Sequence, residues 1–199
     1  MMWKGGSAMK AYLYDKLMSK VEKKMLHKER SILLKNIEGR VIEFGAGTGV
    51  NFEFYSKHRV TAVEPDKILS LEAEKKIGKK NIEIISASGE DLPFDDNTFD
   101  TVVITLALCT IPNPDKALKE AKRVCRPNGK LLVLEHIKNE KKFLFLLQNI
   151  LTPAWKIFAM GCHLNRDTLY AIEVNNFEKI SLKYFFGNNF IRGTFKNIK

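Results

Sequence analysis

Residues 41–49, VIEFGAGTG, set three glycines one residue apart directly behind a short apolar run. Glycine costs backbone entropy, so such spacing is useful where φ must be positive or where a ligand lies against bare main chain. In a sheet whose strands are joined by helices, both needs arise outside the carboxyl end of a strand, where the winding reverses. The question is whether the rest of the chain can build that sheet.

Short apolar runs predict strands at RVIEF (40–44), RVTAVE (59–64), IEIISA (82–87), FDTVVITLAL (99–108) and KLLVLEH (130–136). Between them NFEFYSK (51–57), PDKILSLEAEKKIG (65–78) and PDKALKEAKRVCRPNG (114–129) predict helices, the last ending at Pro127 and Gly129. Strands and helices alternating in this way predict a parallel sheet covered on both faces. After His136 the alternation stops. An apolar insertion (141–163) is followed by a helix in RDTLYAIEVNNF, then by ISLKYFF and FIRGTF, two strands joined through GNN. A link that short can only join antiparallel strands. Residues 10–35 place Tyr14, Leu17, Val21, Met25, Ile32 and Leu33 at helical steps among Lys and Glu, predicting one or two amphipathic helices. The expected fold is α/β, a mostly parallel sheet finished by an antiparallel hairpin, with helices on both faces. At 199 residues the chain is expected to form one domain, with 1–38 as a helical cap.

A content of 45% apolar and 28% charged residues fits a globular chain with a full core. The net charge of +10 comes from Lys and Arg spread along the whole sequence, which predicts a solvated basic surface before it predicts an anionic partner. Cys109, Cys125 and Cys162 form no CxxC or Cys/His ligand spacing, so reduced thiols and no metal site are expected. No leader pattern is visible at the start, and the most apolar stretch, 143–160, is interrupted by Gln148, Asn149, Pro153 and Lys156. A cytoplasmic protein is expected, with peripheral membrane contact as an alternative.

The glycine turn reads GxGxG and has Val50 where the dinucleotide fingerprint has its last glycine. Glu64 ends the next strand nineteen residues beyond Gly45, the distance at which an acid accepts hydrogen bonds from ribose hydroxyls. The pair therefore reports an adenosine ligand. It leaves the chemistry open between a nicotinamide cofactor and another adenosine compound, and Val50 disfavours the first.

The segments VIEFGAGTGVN, VEPD, SGEDLPFDDNTFDTVV and RVCRPNGKLLVLEH, spanning residues 41–136, resemble the class I S-adenosylmethionine-dependent methyltransferases in order and spacing. The resemblance implies a Rossmann-like sheet of seven strands and S-adenosyl-L-methionine as cofactor. It puts the methionine part over Gly45, Ala46 and Gly47 with Glu43 near its ammonium, the ribose on Glu64, and Asn51 and Pro65 on the cofactor side. Thr105 and Leu106 would floor the sulfonium. Many relatives have Asp near position 88, where this chain has Ser88, so the adenine contact is expected from Ser88 or from Gly89 and Glu90. More narrowly, TLALCTIPNP and QNILTPAWKIFAMGCHLNRDT are similar to the thiol methyltransferase-like branch, and the YDKLM opening is similar to bacterial phosphatidylethanolamine and quinone methyltransferases. Members of the thiol branch carry an N-terminal membrane anchor that this opening does not match, so membrane residence is not expected to transfer.

Methyl transfer demands mainly that acceptor and methyl be held in contact in a dry site. His136 and Asp15 are the candidate catalytic bases, with His163 and Asp167 behind them; for His136 a plain loop contact is the alternative. Tyr14, Trp155, Cys162 and Arg166 are candidate acceptor-binding residues, though Arg166 and His163 could equally anchor the insertion. Cys162 and Cys109 read more simply as packed thiols, since no covalent intermediate is needed. Phe143, Leu146, Ile150, Trp155, Ile157 and Phe158 make the insertion core cover, an acceptor pocket or a membrane face. Stacking aromatics interleaved with basic residues are absent, so no nucleic-acid partner is expected. The expected function is methyl transfer to a small-molecule or lipid-like apolar acceptor. A thiol is favoured, with a phospholipid amine or quinone as alternative, and a nicotinamide-dependent oxidoreductase or a non-catalytic binding module further off.

Overall fold

The computed structural model describes residues 22–199, so Tyr14, Asp15 and the first part of the expected cap lie outside the described residues. A π-helical turn, Glu22–Leu26, runs into α1 (His27–Leu34) and so to β1 (Val41–Phe44). Strands β2 (Val60–Val63), β3 (Ile82–Ile85), β4 (Phe99–Thr105) and β5 (Cys125–His136) follow, and β6 (Phe177–Phe185) and β7 (Phe190–Asn197) close the sheet. The spatial order is β3-β2-β1-β4-β5-β7-β6. β1 pairs in parallel with both β2 and β4, while β7 runs antiparallel to β5 and β6. The winding reverses between β1 and β4, which puts the glycine turn at the switch point.

All four residues of β1 and of β2 are buried, as strands covered on both faces require. Alternation sends Ile42, Phe44, Val102, Ile104, Leu131 and Val133 to one face. There α3 (Pro114–Val124) lays down Ala117, Leu118, Ala121 and Val124. Val41, Val103, Leu132 and Leu134 go to the other face, against Leu26, Leu33, Phe52 and Tyr55. Glu43 shares the Val41 face by the same alternation and is buried there. Two of these helices start with side-chain caps: Asp66 accepts from Ile68 N–H at 2.8 Å to open α2 (Lys67–Glu74), and Asn113 accepts from Lys116 N–H at 3.0 Å to open α3.

Three expectations change in the structure. NFEFYSK is no crossover helix; after Gly49 the chain makes one 3₁₀ segment, Val50–Phe54, and buries Phe52 and Tyr55 completely. Bulky aromatics and the short distance to β2 leave no length for an α-helix. CRPNG belongs to β5 and not to the end of α3, because Pro127 biases the residue before it out of the helical region. Strand β4 stops at Thr105, and Leu106 turns the chain aside with φ +54°.

The insertion forms α4 (Lys142–Phe158), with Pro153 inside it and Thr152 as its one buried residue. Phe143 is 76% and Phe158 70% exposed, so α4 is not ordinary core cover. Among the described residues no helix is long and apolar enough to cross a membrane. α5 (Thr168–Val174), capped by Asp167, returns the chain to β6.

Candidate active site

Gly45, Gly47 and Gly49 all have positive φ, and Gly47 differs from its neighbours in what its missing side chain faces. A Cβ on Gly45 would meet Ala107 Cβ at 2.7 Å, and one on Gly49 would meet the Phe52 ring at 2.8 Å, whereas one on Gly47 would meet nothing. The turn is thus packed at its ends and bare in its middle. Beside it, Glu64 accepts the Gly47 N–H at 2.8 Å on one oxygen and the Asp66 N–H at 3.0 Å on the other. Each oxygen keeps a lone pair for a further donor. Burial raises the Glu64 carboxyl, with those two N–H groups pulling back.

Under the turn lies a buried polar network. Asn51 donates to Glu43 Oε1 at 2.6 Å and to Thr105 Oγ at 2.9 Å. The Arg30 guanidinium, delivered by α1, donates to Asn51 Oδ1 at 2.8 Å and to Thr105 Oγ at 2.7 Å, and its Nε pairs with Glu22 at 2.7 Å. Glu43 Oε2 and the Tyr55 hydroxyl are buried there without hydrogen-bond partners. Burial pushes the Glu43 carboxyl up to about 7 against the pull of Asn51, the neighbouring Tyr55 hydroxyl and Arg30. An orphaned carboxylate oxygen beside bare main chain suits a ligand that brings its own cation. Arg30 and Tyr55 were not singled out from the sequence; an Arg among the apolar steps of the opening helix was the available signal.

The remaining expected cofactor residues sit around this turn in different states. Ala46 is buried and Pro65 exposed. Ser88 Oγ accepts the Glu90 N–H at 3.1 Å, and Glu90 in turn accepts the Asn113 N–H at 2.5 Å. Gly89 is buried, and a Cβ there would meet the Phe44 ring at 3.0 Å. Thr105 Oγ is already engaged by Arg30 and Asn51.

Leu106 joins this turn to a second space. A cavity of about 340 Å³ lies between the ends of β4 and β5, α4 and the β6–β7 turn, and Leu106, Cys109, His136, Leu147, Trp155 and Cys162 line it. Its floor is braced. Buried Glu135 accepts the N–H groups of Ala107 at 2.6 Å and Leu108 at 2.8 Å, and burial raises its carboxyl to about 7. Arg166 lies outside the cavity lining; its guanidinium donates to the carbonyls of Leu108 and Ile111. The His163 N–H donates to the Cys109 carbonyl at 2.9 Å. The loop after α4 is thereby locked to the turn after β4.

On the cavity wall Cys162 Sγ stands 3.6 Å from His136 Nε2, and Trp155 packs against Cys109 and Cys162 with its indole N–H buried and unpartnered. A hydrogen bond from Cys109, and the hydrogen bond and charge of His136, pull the Cys162 thiol below its usual range, while Cys109 itself is pushed up. Sequence spacing suggested no such cluster. Yet Cys109, His136 and Cys162 offer ligand atoms all within 4.8 Å of one another. Positions 109, 136 and 162 belong to three different elements, and only the folded sheet joins them.

Residues 42–133 match the family model described as a methyltransferase domain. The chain is 35% identical to the thiol S-methyltransferase TMT1B of Rattus norvegicus over 187 residues, 87% of this chain and 77% of that protein. It is 33% identical to the phosphatidylethanolamine N-methyltransferase of Cereibacter sphaeroides over 109 residues, 52% and 53% of the two chains. Its fold matches an S-adenosylmethionine-dependent methyltransferase from Thermotoga maritima with a TM-score of 0.67 at 20% identity, over 94% of this chain and 99% of that one. The seven-stranded sheet, the adenosine-type turn and these relatives agree: the chain belongs to the S-adenosylmethionine-dependent methyltransferases, and is a relative of the thiol S-methyltransferases.

Proposed function

We propose that this enzyme transfers a methyl group to the sulfur of a small or amphipathic apolar thiol. The observation that carries the reading is the cavity beside Leu106, apolar over most of its wall, with Cys109, Cys162, His136 and the Trp155 indole converging at one place and Gln148 and Asn189 as its other polar lining. A thiol is the acceptor class that needs least from such a wall, because its own pKa near 8.5 supplies thiolate without an obligatory base. The relation to the rat thiol S-methyltransferase supports it.

When bound, S-adenosyl-L-methionine supplies a methyl on a positively charged sulfur. Glu43, with its free oxygen, receives the ammonium; Gly45, Ala46 and Gly47 carry the methionine part, and Glu64 accepts from the ribose. Asn51 and Arg30 hold Glu43 and Thr105 in place, Pro65 shapes the approach of the ribose to the Glu64 carboxylate, and Ser88, Gly89 and Glu90 border the adenine. Leu106 separates the two spaces and sets where methyl and acceptor meet. Apolar α4 keeps water out, which strengthens the electrostatics at the acceptor sulfur. His136 faces that sulfur and stabilises its negative charge, while Trp155 and Cys162 shape the wall.

The whole chain acts as one methyltransferase domain in this reading, with 1–38 as cap and 141–163 as the acceptor-side insertion. Exposed Phe143, Ile150 and Phe158, with Lys141 and Lys142 at the helix start, suit a cytoplasmic enzyme that collects amphipathic acceptors at a membrane surface. The test is a panel of alkyl and aryl thiols, primary amines and quinols with methyl-labelled cofactor. Labelled thioethers from the thiols support the reading, and labelled amines or quinols without thioether overturn it.

A further inference from the structure

Cys109, His136 and Cys162 come from the turn after β4, the last residue of β5 and the loop after α4. Their ligand atoms lie within 4.8 Å of one another, on the wall of the cavity. Thiolate and imidazole are the donors that zinc takes, at about 2.3 Å for sulfur and about 2.0–2.1 Å for nitrogen. Two such ligands at a tetrahedral angle stand roughly 3.5 Å apart when one is sulfur and one nitrogen, a distance that follows from those bond lengths. Cys162 Sγ is 3.6 Å from His136 Nε2 and 3.9 Å from Nδ1, so a turn of the imidazole is needed to aim one nitrogen at a metal shared with the sulfur.

The backbone carrying the set is held from several sides. Glu135 fixes the N–H groups of Ala107 and Leu108, the His163 N–H holds the Cys109 carbonyl, and Thr168 Oγ donates to the His136 carbonyl at 3.4 Å. A structural zinc would need a fourth protein ligand. Among the described residues this is the one such group, and it has three members. Three protein ligands with one position open is the arrangement of sites that bind a reactant on the metal.

We infer that Cys109, His136 and Cys162 bind one thiophilic divalent cation, Zn²⁺, with its fourth position facing the cavity and taking the acceptor thiol as its thiolate. This rests on the thiol reading of the cavity, and it gives His136 a ligand's role in place of a contact to the acceptor. The two cysteines and the acceptor each release one proton to solvent as their sulfur–metal bonds form, and no electron is moved. Soft sulfur donors favour zinc over magnesium or calcium at such a site, and the cavity is the entry path.

The probe is Co²⁺ titrated into the full chain after reduction and chelator treatment, without S-adenosylmethionine. The inference expects the visible absorption of tetrahedral cobalt with thiolate charge transfer, saturating at about one metal per chain. Zn²⁺ should abolish it, and a small alkyl thiol should shift it where the matching alcohol does not. Cys162→Ser and Cys109→Ser should lose the charge-transfer band while keeping the wild-type circular dichroism. No tetrahedral spectrum in the wild-type chain overturns the site, a test that depends on no variant folding. A spectrum that ignores added thiol overturns the open position. Metal-free protein that methylates thiols as fast as zinc-loaded protein overturns the metal's role yet leaves the thiol reading standing. Failure to methylate thiols sinks that reading without touching the cobalt spectrum.

Discussion

Cys162 Sγ lies 3.6 Å from Nε2 of His136, although the two residues are 26 positions apart and belong to different elements. The contact lies on the cavity wall at the end of β5 and makes two side chains with plain separate readings into one polar cluster. The glycine turn follows β1 and the cavity lies beyond β4, and the predictions divide along that line.

Glu64→Ala should weaken S-adenosylhomocysteine binding by roughly 1.5–3 kcal/mol, the scale of hydrogen bonds to a charged group. The acceptor KM should stay near the wild-type value. Calorimetric titration of the folded variant checks it, and unchanged affinity removes Glu64 from the cofactor site.

Cofactor affinity should depend on pH through Glu43, whose carboxyl is raised by burial to about 7. An ammonium beside it favours the ionised form, so binding should tighten as pH rises through about 7 and then level off. Stability of the free protein moves the other way. The folded state holds this proton more tightly than the unfolded chain, whose ordinary value is 4.5. The contribution is therefore fully present below 4.5 and is lost as pH rises through about 7. Glu43→Gln should flatten the binding dependence, measured by titration, and reduce the stability dependence, measured by thermal unfolding, to which Glu135, also raised to about 7, still contributes.

Arg30→Met should destabilise the fold by about 3 kcal/mol, because Glu22, Asn51 and Thr105 lose a shared buried partner. Cofactor binding should fall with it, since Asn51 also positions Glu43. Thermal unfolding with and without S-adenosylhomocysteine separates the effects.

Much of this fold is legible in the sequence because strand burial and strand spacing are local. VIEF and VTAV carry apolar residues on both faces, as central parallel strands do, and the GNN link forces the final hairpin. Element edges were harder to read. NFEFYSK has a helical pattern, but Phe52 and Tyr55 are consumed by the core before a second turn can form. In the site, Glu43, Gly47 and Glu64 are readable because β1 with its turn and the end of the next strand, β2, carry them at fixed distances. Arg30 and the Cys109–His136–Cys162 group are not, since each depends on elements far apart in the chain that only the sheet order brings together.

Trp155→Ala should raise the KM for an apolar thiol roughly tenfold, about 1.4 kcal/mol of lost contact, while leaving S-adenosylhomocysteine affinity nearly unchanged. Equal loss of both would make Trp155 a support for the whole site and not part of the acceptor wall.

The most direct test of thiol specificity offers both nucleophiles in one molecule. A mercaptoalkylamine is incubated with the enzyme and S-adenosylmethionine carrying a ¹³C-methyl group, and the product is read by nuclear magnetic resonance, where S-methyl and N-methyl carbons resonate apart. The account predicts label on sulfur alone. Label on nitrogen would contradict it.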